Sequence, residues 1–437
     1  MKNSGIEWIG EIPDNWKIGK IKNICRIFGR IGFRGYRQED LVSAGEGAIT
    51  LSPSNMKDMK MDYNKCTYLS WDKYFESPEI QIENGDILFV KTGSTFGKVA
   101  LVEKLPLEAT INPQIIVIKD IGISNKFLCY FLSTDIIRSQ INCSVVGGTI
   151  PTIAQEKILN YILLIPEIQQ SKQIADALDE KCGKIDKLIE NEQKQIEKMK
   201  EYKQSVITSA VTKGLDPTAP MKDSGIEYFE MIPVIWETAK TLNVLETPIT
   251  DGPHTTPNLY EDGIPFISAE AIKNGKINFE LKRGYISQEF YDECCLKYIP
   301  KLHDIYMIKS GATTGNVACV ETEEIFTIWS PLAVFRCNEK LMKYRYLYYF
   351  LQSKPYQQQI QLKWSFGTQQ NIGMRVLETL KLLIPPIEEQ KEIADYLDEK
   401  CGKIDEVISI KQRKIEKLQE YKKSLIYEYV TGKKEVV

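Results

Sequence analysis

Two stretches of the chain place apolar residues on a seven-residue repeat. In the first, Leu178, Ile185, Met199 and Val206 share one heptad position, and Ile189, Ile196 and Ala210 occupy the position four residues later. In the second, Leu397, Ile404, Leu418 and Leu425 share the position, followed by Ile408, Ile415 and Tyr429. Lys, Glu and Gln fill the places between. Both stretches begin just after proline (Pro166; Pro385 and Pro386) and contain no further proline. Sustained apolar heptads with charged flanks predict long helices that form a coiled coil. At about 1.5 Å of rise per residue, some 40 residues would extend roughly 60 Å. Neither helix can bury its stripe alone, so the two are expected to pack on each other. Antiparallel packing would leave one globular block at the start of each helix. The heptad turns polar at Glu192 in the first copy and at Lys411 in the second. Meeting near a two-fold axis, these opposite charges would fix register; two solvated side chains are the plainer alternative.

The segments outside the helices read differently. Residues 1–165 and 221–385 hold short β-branched and aromatic runs, such as GDILFV and AVFRC, punctuated by Gly, Pro and Asn. That is strand and turn patterning. Each block ends in a helical-looking piece, Phe127–Ile141 and Tyr346–Ile360. The expected architecture is therefore two mixed α/β domains in pseudo-two-fold tandem, joined by two long helices. The domain limits are 1–165, a helix and linker over 166–220, 221–385, and a second helix over 386–437.

The blocks are copies. ADALDEKCGKID (Ala175–Asp186) returns as ADYLDEKCGKID (Ala394–Asp405), differing only at Ala177 and Tyr396. MKNSGIEWIGEIPDNW (Met1–Trp16) returns as MKDSGIEYFEMIPVIW (Met221–Trp236). DILFVKTGSTFGKVALVE (Asp86–Glu103) returns as DIYMIKSGATTGNVACVE (Asp304–Glu321). One unit of half the chain is used twice.

Composition narrows the chemistry. Apolar content of 43% and charged content of 26% are those of an ordinary globular protein. Ten cysteines without a CxxC spacing, and no secretion signal, favour reduced, mostly buried thiols. With only His254 and His303 in the chain, a zinc site or a histidine-based catalytic apparatus is not expected. GSTFGK (Gly93–Lys98) is one residue short of a phosphate-binding loop, and Val99 stands where Ser or Thr would bind magnesium. NPQ (Asn112–Gln114) lacks the second proline and the aromatic of an amino-methyltransferase motif. Asp86 and Asp304 open apolar strands, where a structural cap is the commoner role. The chain does not read as an enzyme.

A net charge of −3 conceals a local field. Between Asp14 and Glu39 there is no acidic residue, while Lys17, Lys20, Lys22, Arg26, Arg30, Arg34 and Arg37 fall there. A solvated loop is the plain reading. Glycines and aromatics interleave with the arginines in GRIGFRGYR (Gly29–Arg37), and that mixture favours a nucleic-acid-facing loop.

Together these segments resemble the specificity subunit of type I restriction–modification systems. The carriers are SGIEWIGEIPDNW, GDILFVKTGSTFGKVA, GGTIPTI (Gly147–Ile153), and the junctions PEIQQSKQIADALDEKCGKID and PPIEEQKEIADYLDEKCGKID. The resemblance covers essentially the whole chain. It implies two target recognition domains on a spacer of helices, and a non-catalytic subunit that reads double-stranded DNA as two half-sites. It further implies two methyltransferase (modification) subunits and two restriction/translocase subunits as partners, with AdoMet, ATP and Mg in those partners and no cofactor or metal in this chain. A cytoplasmic, nucleoid-associated protein of a bacterium or archaeon follows, with no membrane.

The loops that would read DNA differ between the copies: RIGFRGYRQED (Arg30–Asp40) against TDGPHTTPNLYEDGIPFI (Thr250–Ile267). Different loops imply an asymmetric target. In the first domain the expected DNA-binding residues are Arg30, Arg34 and Arg37, then Lys91, Ser94, Thr95 and Lys98 on the glycine loop, with Thr149 and Thr152 beside it. In the second they are His254 and Thr255, then Lys309, Thr313, Thr314 and Asn316, with Gln369, Gln370 and Asn371. Arginine forks suit phosphate or guanine, and Gln and Asn suit adenine edges. For each singly, a solvated or turn-stabilising role is the alternative, and His254 equally suits a loop hydrogen bond.

Overall fold

A computed structural model describes residues 1–6, 9–144, 151–366 and 370–436. The chain divides into two compact units: Met1–Glu192 with Arg413–Val437, and Gln193–Gln412. Both divisions fall inside a long helix, Ile168–Lys213 or Ile387–Val430.

In the first unit a six-stranded sheet runs in the order Arg26–Gly29, Ile115–Lys119, Ile87–Val90, Val99–Leu101, Met59–Met61, Met56–Lys57. A four-stranded sheet covers one face, built from Ala109–Ile111, Gly47–Leu51, Thr67–Ser70 and Leu41–Val42. The strand ILFV shows why its sequence is apolar throughout. Ile87 and Phe89 enter the core shared with the helices, while Leu88 and Val90 enter the core under the second sheet. Successive side chains point to opposite faces, so a strand covered on both sides has no polar position. The second unit repeats this: Ile305 and Met307 lie in one core, Tyr306 and Ile308 in the other.

Asp86 opens the first of these strands as a cap. Its carboxylate accepts from the Glu83 amide at 2.8 Å and pairs with Lys119 at 2.8 Å. Asp304 accepts from the Lys301 amide at 2.9 Å and from the Arg336 fork at 2.7 Å.

The repeated phrases are the joints between each domain and its helices. Trp16, buried, donates to Gln170 at 2.9 Å, and Trp236 donates to Glu389 at 2.9 Å, so each opening motif is tied to the first turn of a long helix. Within ADALDEKCGKID, Asp179 accepts from Tyr130 at 2.8 Å and from Lys126. Cys182 is buried, and Asp186 accepts from Lys422. Within ADYLDEKCGKID, Asp398 accepts from Tyr349 at 2.6 Å and Arg345 at 2.8 Å, and Asp405 from Lys203 at 2.6 Å. The heptad positions Leu178, Ile185, Ile196, Ala210, Leu397, Ile404, Ile415, Leu425 and Tyr429 are buried. Met199, Ile408 and Leu418 are half-buried.

The two helical-looking pieces that close the domains are each a pair of helices. The first breaks between Asn125–Leu132 and Asp135–Asn142, where the Ser133 and Thr134 hydroxyls bond back to Tyr130 and Phe131 carbonyls at 2.7 Å. The second breaks at Ser353, with Pro355 in the first turn of Lys354–Leu362. Side-chain competition for the backbone and a proline that cannot continue a helix explain both breaks.

All ten cysteines are free. Among the described residues no group of three His, Cys, Asp or Glu is placed to hold a metal. Among them, too, no helix is long and apolar enough to cross a membrane.

Candidate nucleic-acid interface

The glycine loop between Val90 and Val99 is a tight turn with two residues in the left-handed region, Gly93 at φ 104° and Gly97 at φ 80°. Its closing bonds run from Phe96 to Gly93 (3.1 Å), Lys98 to Thr95 (3.2 Å) and Gly97 to Val90 (2.8 Å). The amides of Ser94 and Thr95 take no acceptor among the described residues, and both side chains are exposed. Successive amides without acceptors beside exposed hydroxyls are donors of the kind an anion takes.

Neighbouring segments hold this loop in place. The Lys91 amide donates to Gln114 at 2.8 Å, and the Ile153 amide returns a bond to Lys91 at 2.9 Å. Thr92 bridges Thr152, which is exposed. Lys98 reaches the Pro53 carbonyl at 3.5 Å. Arg138 donates to the Phe96 carbonyl at 2.9 Å, with its guanidinium over the Phe96 ring. Its position on a distant helix gave no sign of that role.

The second unit reproduces the arrangement. Lys309 donates to Pro331 at 2.8 Å, Ile372 to Lys309 at 2.9 Å, and Ser310 bridges Asn371. Gly311 and Gly315 are left-handed at φ 102° and 95°. Thr313, Asn316 and Asn371 are exposed and Gln370 is half-buried. Thr314 is partly withdrawn, its hydroxyl bonding the Gly311 carbonyl at 2.7 Å. The expected Thr149 and Gln369 lie outside the described residues.

The arginine-rich loop needs a correction. Arg30 is 6% exposed. It donates to the Ile111 carbonyl at 3.1 Å, the Thr110 hydroxyl at 3.0 Å and the Arg34 carbonyl at 3.3 Å, and lies over the Tyr36 ring. Burial lowers its pKa from the ordinary value. A guanidinium so engaged holds the loop's base. Arg34 is half-buried, 3.6 Å from Glu79. Arg37 projects, its side chain 84% exposed, with Glu39 at 3.6 Å. The NPQ segment, which resembled a broken catalytic motif, is the joint between the two loops. Arg30 grips Ile111 just before it, and Lys91 bonds Gln114 at its end.

In the second unit the strand Thr250–Asp251 pairs with Leu332–Phe335, Asp251 opposite Ala333. In the first, Gly29 stands opposite Ile116. Val90 opposite Ile115 and Ile308 opposite Leu332 set the common register, so Gly29 and Asp251 are equivalent, as are Arg30 and Gly252. Where Arg30 reaches the Ile111 carbonyl, a Cβ on Gly252 would come within 2.0 Å of the Ile328 carbonyl. Asp251 is fully buried and faces the ammonium groups of Lys297 and Lys309, the latter at 3.2 Å, with the His254 ring also 3.2 Å away. His254 is otherwise exposed, as is Thr255. Arg283, stacked 3.9 Å over Trp329, and Lys297 are basic groups that sequence alone did not single out.

Residues 13–200 and 236–420 each match a family described as the type I restriction modification DNA specificity domain. The chain belongs to that family. It is a specificity subunit, of a family that recognises DNA rather than catalyses. Similar proteins include the putative type I restriction enzyme MjaX specificity subunit of Methanocaldococcus jannaschii, 26% identical over 436 residues, covering 97% of this chain and 95% of that one. The MjaVIII specificity subunit of the same organism is 26% identical over 81% of this chain and 80% of its own length. A solved structure described as the structural basis of complex assembly and conformational transition of the type I R-M system shares the fold, with a TM-score of 0.67 at 17% identity over 97% of this specificity subunit and 99% of that chain.

Proposed function

We propose that this specificity subunit reads a bipartite, asymmetric DNA target, one half-site per recognition domain, and scaffolds two methyltransferase and two restriction/translocase subunits. AdoMet, ATP and Mg belong to those partners. The observation that carries the asymmetry is the pair of substitutions at one register: Gly29 and Arg30 in one domain, Asp251 and Gly252 in the other, on scaffolds otherwise repeated. Two different loops on one frame read two different sequences. The reading set is Arg34, Arg37, Lys91, Ser94, Thr95, Lys98 and Thr152 in the first domain. In the second it is His254, Thr255, Thr313, Asn316, Gln370 and Asn371.

The two long helices form an antiparallel coiled coil in this reading. Its support is the order of the ion pairs and hydrogen bonds between the helices within each unit. Asp186 pairs with Lys422 and Glu192 with Lys414; Gln195 accepts from Lys411 and Asp405 from Lys203. As one number rises the other falls. Glu192, only 7% exposed, and Lys411 are the polar heptad positions, and we assign them to fixing register. A double-mutant cycle on Glu192→Ala and Lys411→Ala tests this: coupling is expected, and strict additivity refutes it.

Single-molecule sequencing of methylated bases, in the host with and without this gene, tests the function. The gene-dependent motif should be split and non-palindromic. A palindromic motif, or none, overturns the proposal.

A further inference from the structure

Lys91 and Lys309 are equivalent residues at the base of equivalent loops, yet a buried carboxylate faces only one of them. Lys309 has a side chain 13% exposed, and its ammonium stands 3.2 Å from the carboxylate of the fully buried Asp251. Lys91 is half-buried, and among the described residues its ammonium has no acceptor and no carboxylate. The position that would supply one is Gly29. A Cβ built there would lie 3.6 Å from the Lys91 ammonium. Burial alone lowers the pKa of Lys91, with no opposing negative charge. A half-desolvated cation without a countercharge is an unfavourable arrangement in the free protein. It sits on the same loop as the unengaged amides of Ser94 and Thr95, donors of the kind an anion takes.

We propose that Lys91 is a DNA phosphate contact made by the first domain alone, because the second domain fills the same place with Asp251 and neutralises Lys309 from within. The inference rests on the DNA-reading function above. Lys309 could move to a phosphate only by giving up one of the two ammonium contacts, its own and that of Lys297, made to a buried carboxylate. Lys91 gives up nothing. A phosphate supplies the acceptor it lacks, and its displaced counterions make the contact sensitive to salt. The two half-sites are thus held unequally, with the first domain contributing the more salt-dependent share.

The test uses the full-length chain and a fluorescent duplex carrying the motif found by methylation sequencing, titrated at several KCl concentrations. Lys91→Met should lower the slope of log K against log salt by about 0.9, the loss of one phosphate contact, which is roughly eightfold in affinity at 0.1 M salt. Lys91→Arg should restore the slope, which separates a charge effect from a folding defect. Lys309→Met should leave the slope at the parent value. A parent slope retained in Lys91→Met, or an equal fall in Lys309→Met, overturns the inference. Absence of salt-dependent binding by the parent chain instead overturns the DNA-reading function on which it rests.

Discussion

Replacing Arg30 by Met separates a structural arginine from a reading one. Methionine keeps much of the apolar stem and removes the guanidinium. Three acceptors lose their donor: the carbonyls of Ile111 and Arg34, and the Thr110 hydroxyl, which still donates to Ile80 at 3.3 Å. Hydrogen bonds from a charged group are worth about 1.5–3 kcal/mol each, but they share one donor group and do not add. Against the loss stands the relief of a charge held out of water, the same burial that lowers its pKa. The balance favours a net loss of about 2–3 kcal/mol, localised where Arg30 joins the loop to the Ala109–Ile111 strand.

Hydrogen exchange read by mass spectrometry resolves that locality. Amides in 30–36 and 109–114 should exchange about 30- to 150-fold faster, since each 1.4 kcal/mol is a factor of ten. The second unit should be unaffected. In DNA titrations the salt slope should stay at the parent value, because no phosphate contact is removed. Unchanged protection together with a slope reduced by about one would show that the guanidinium faces DNA, and would refute the assignment.

Three further outcomes follow from the geometry. Burial pushes the thiols of Cys25, Cys129 and Cys319 from 9.0 up to about 12, so each holds its proton in the folded chain where the unfolded chain has lost it. Their contribution to stability is whole below about pH 9 and declines as pH rises toward 12, by about 1.4 kcal/mol per pH unit per thiol; urea midpoints should fall less steeply above pH 9 in Cys25→Ala/Cys129→Ala. Gly97→Ala places a Cβ in a left-handed position 2.8 Å from Ile141 and 2.9 Å from Arg138. It should destabilise the glycine loop by about 1–2 kcal/mol, read as faster exchange over 93–98 and weaker DNA binding. Cys129→Tyr should raise the urea midpoint of the first unit, because Cys129 lines a cavity of about 230 Å³ while its counterpart Tyr348 reaches the Gly275 carbonyl at 3.4 Å; a lowered midpoint would mean the cavity cannot take the ring.

What could be read from the sequence, and what could not, divides along one physical line. Long helices were legible because burying a stripe demands a heptad, and the observed limits Ile168–Lys213 and Ile387–Val430 follow the pattern closely. The doubly covered strands were legible as unbroken apolar runs. Asp86 and Asp304 were legible as caps because a carboxylate three residues from an amide at a strand's start has a local use. Arg30 was not legible. Within GRIGFRGYR nothing distinguishes it from Arg37, yet one is 6% exposed and the other projects from the surface. The difference arises from Ile111 and Thr110, some eighty residues away, brought alongside by strand pairing. The same holds for Lys91 and Lys309, identical residues in nearly identical segments. Whether a carboxylate faces the ammonium depends on residue 29 or residue 251, and that equivalence exists only in the register of a sheet. Alignment of the two copies by sequence matches the scaffold and loses the loops. Pairing Gly29 with Ile116 and Asp251 with Ala333 recovers it, and turns two dissimilar loops into a single comparison of a missing carboxylate with a present one.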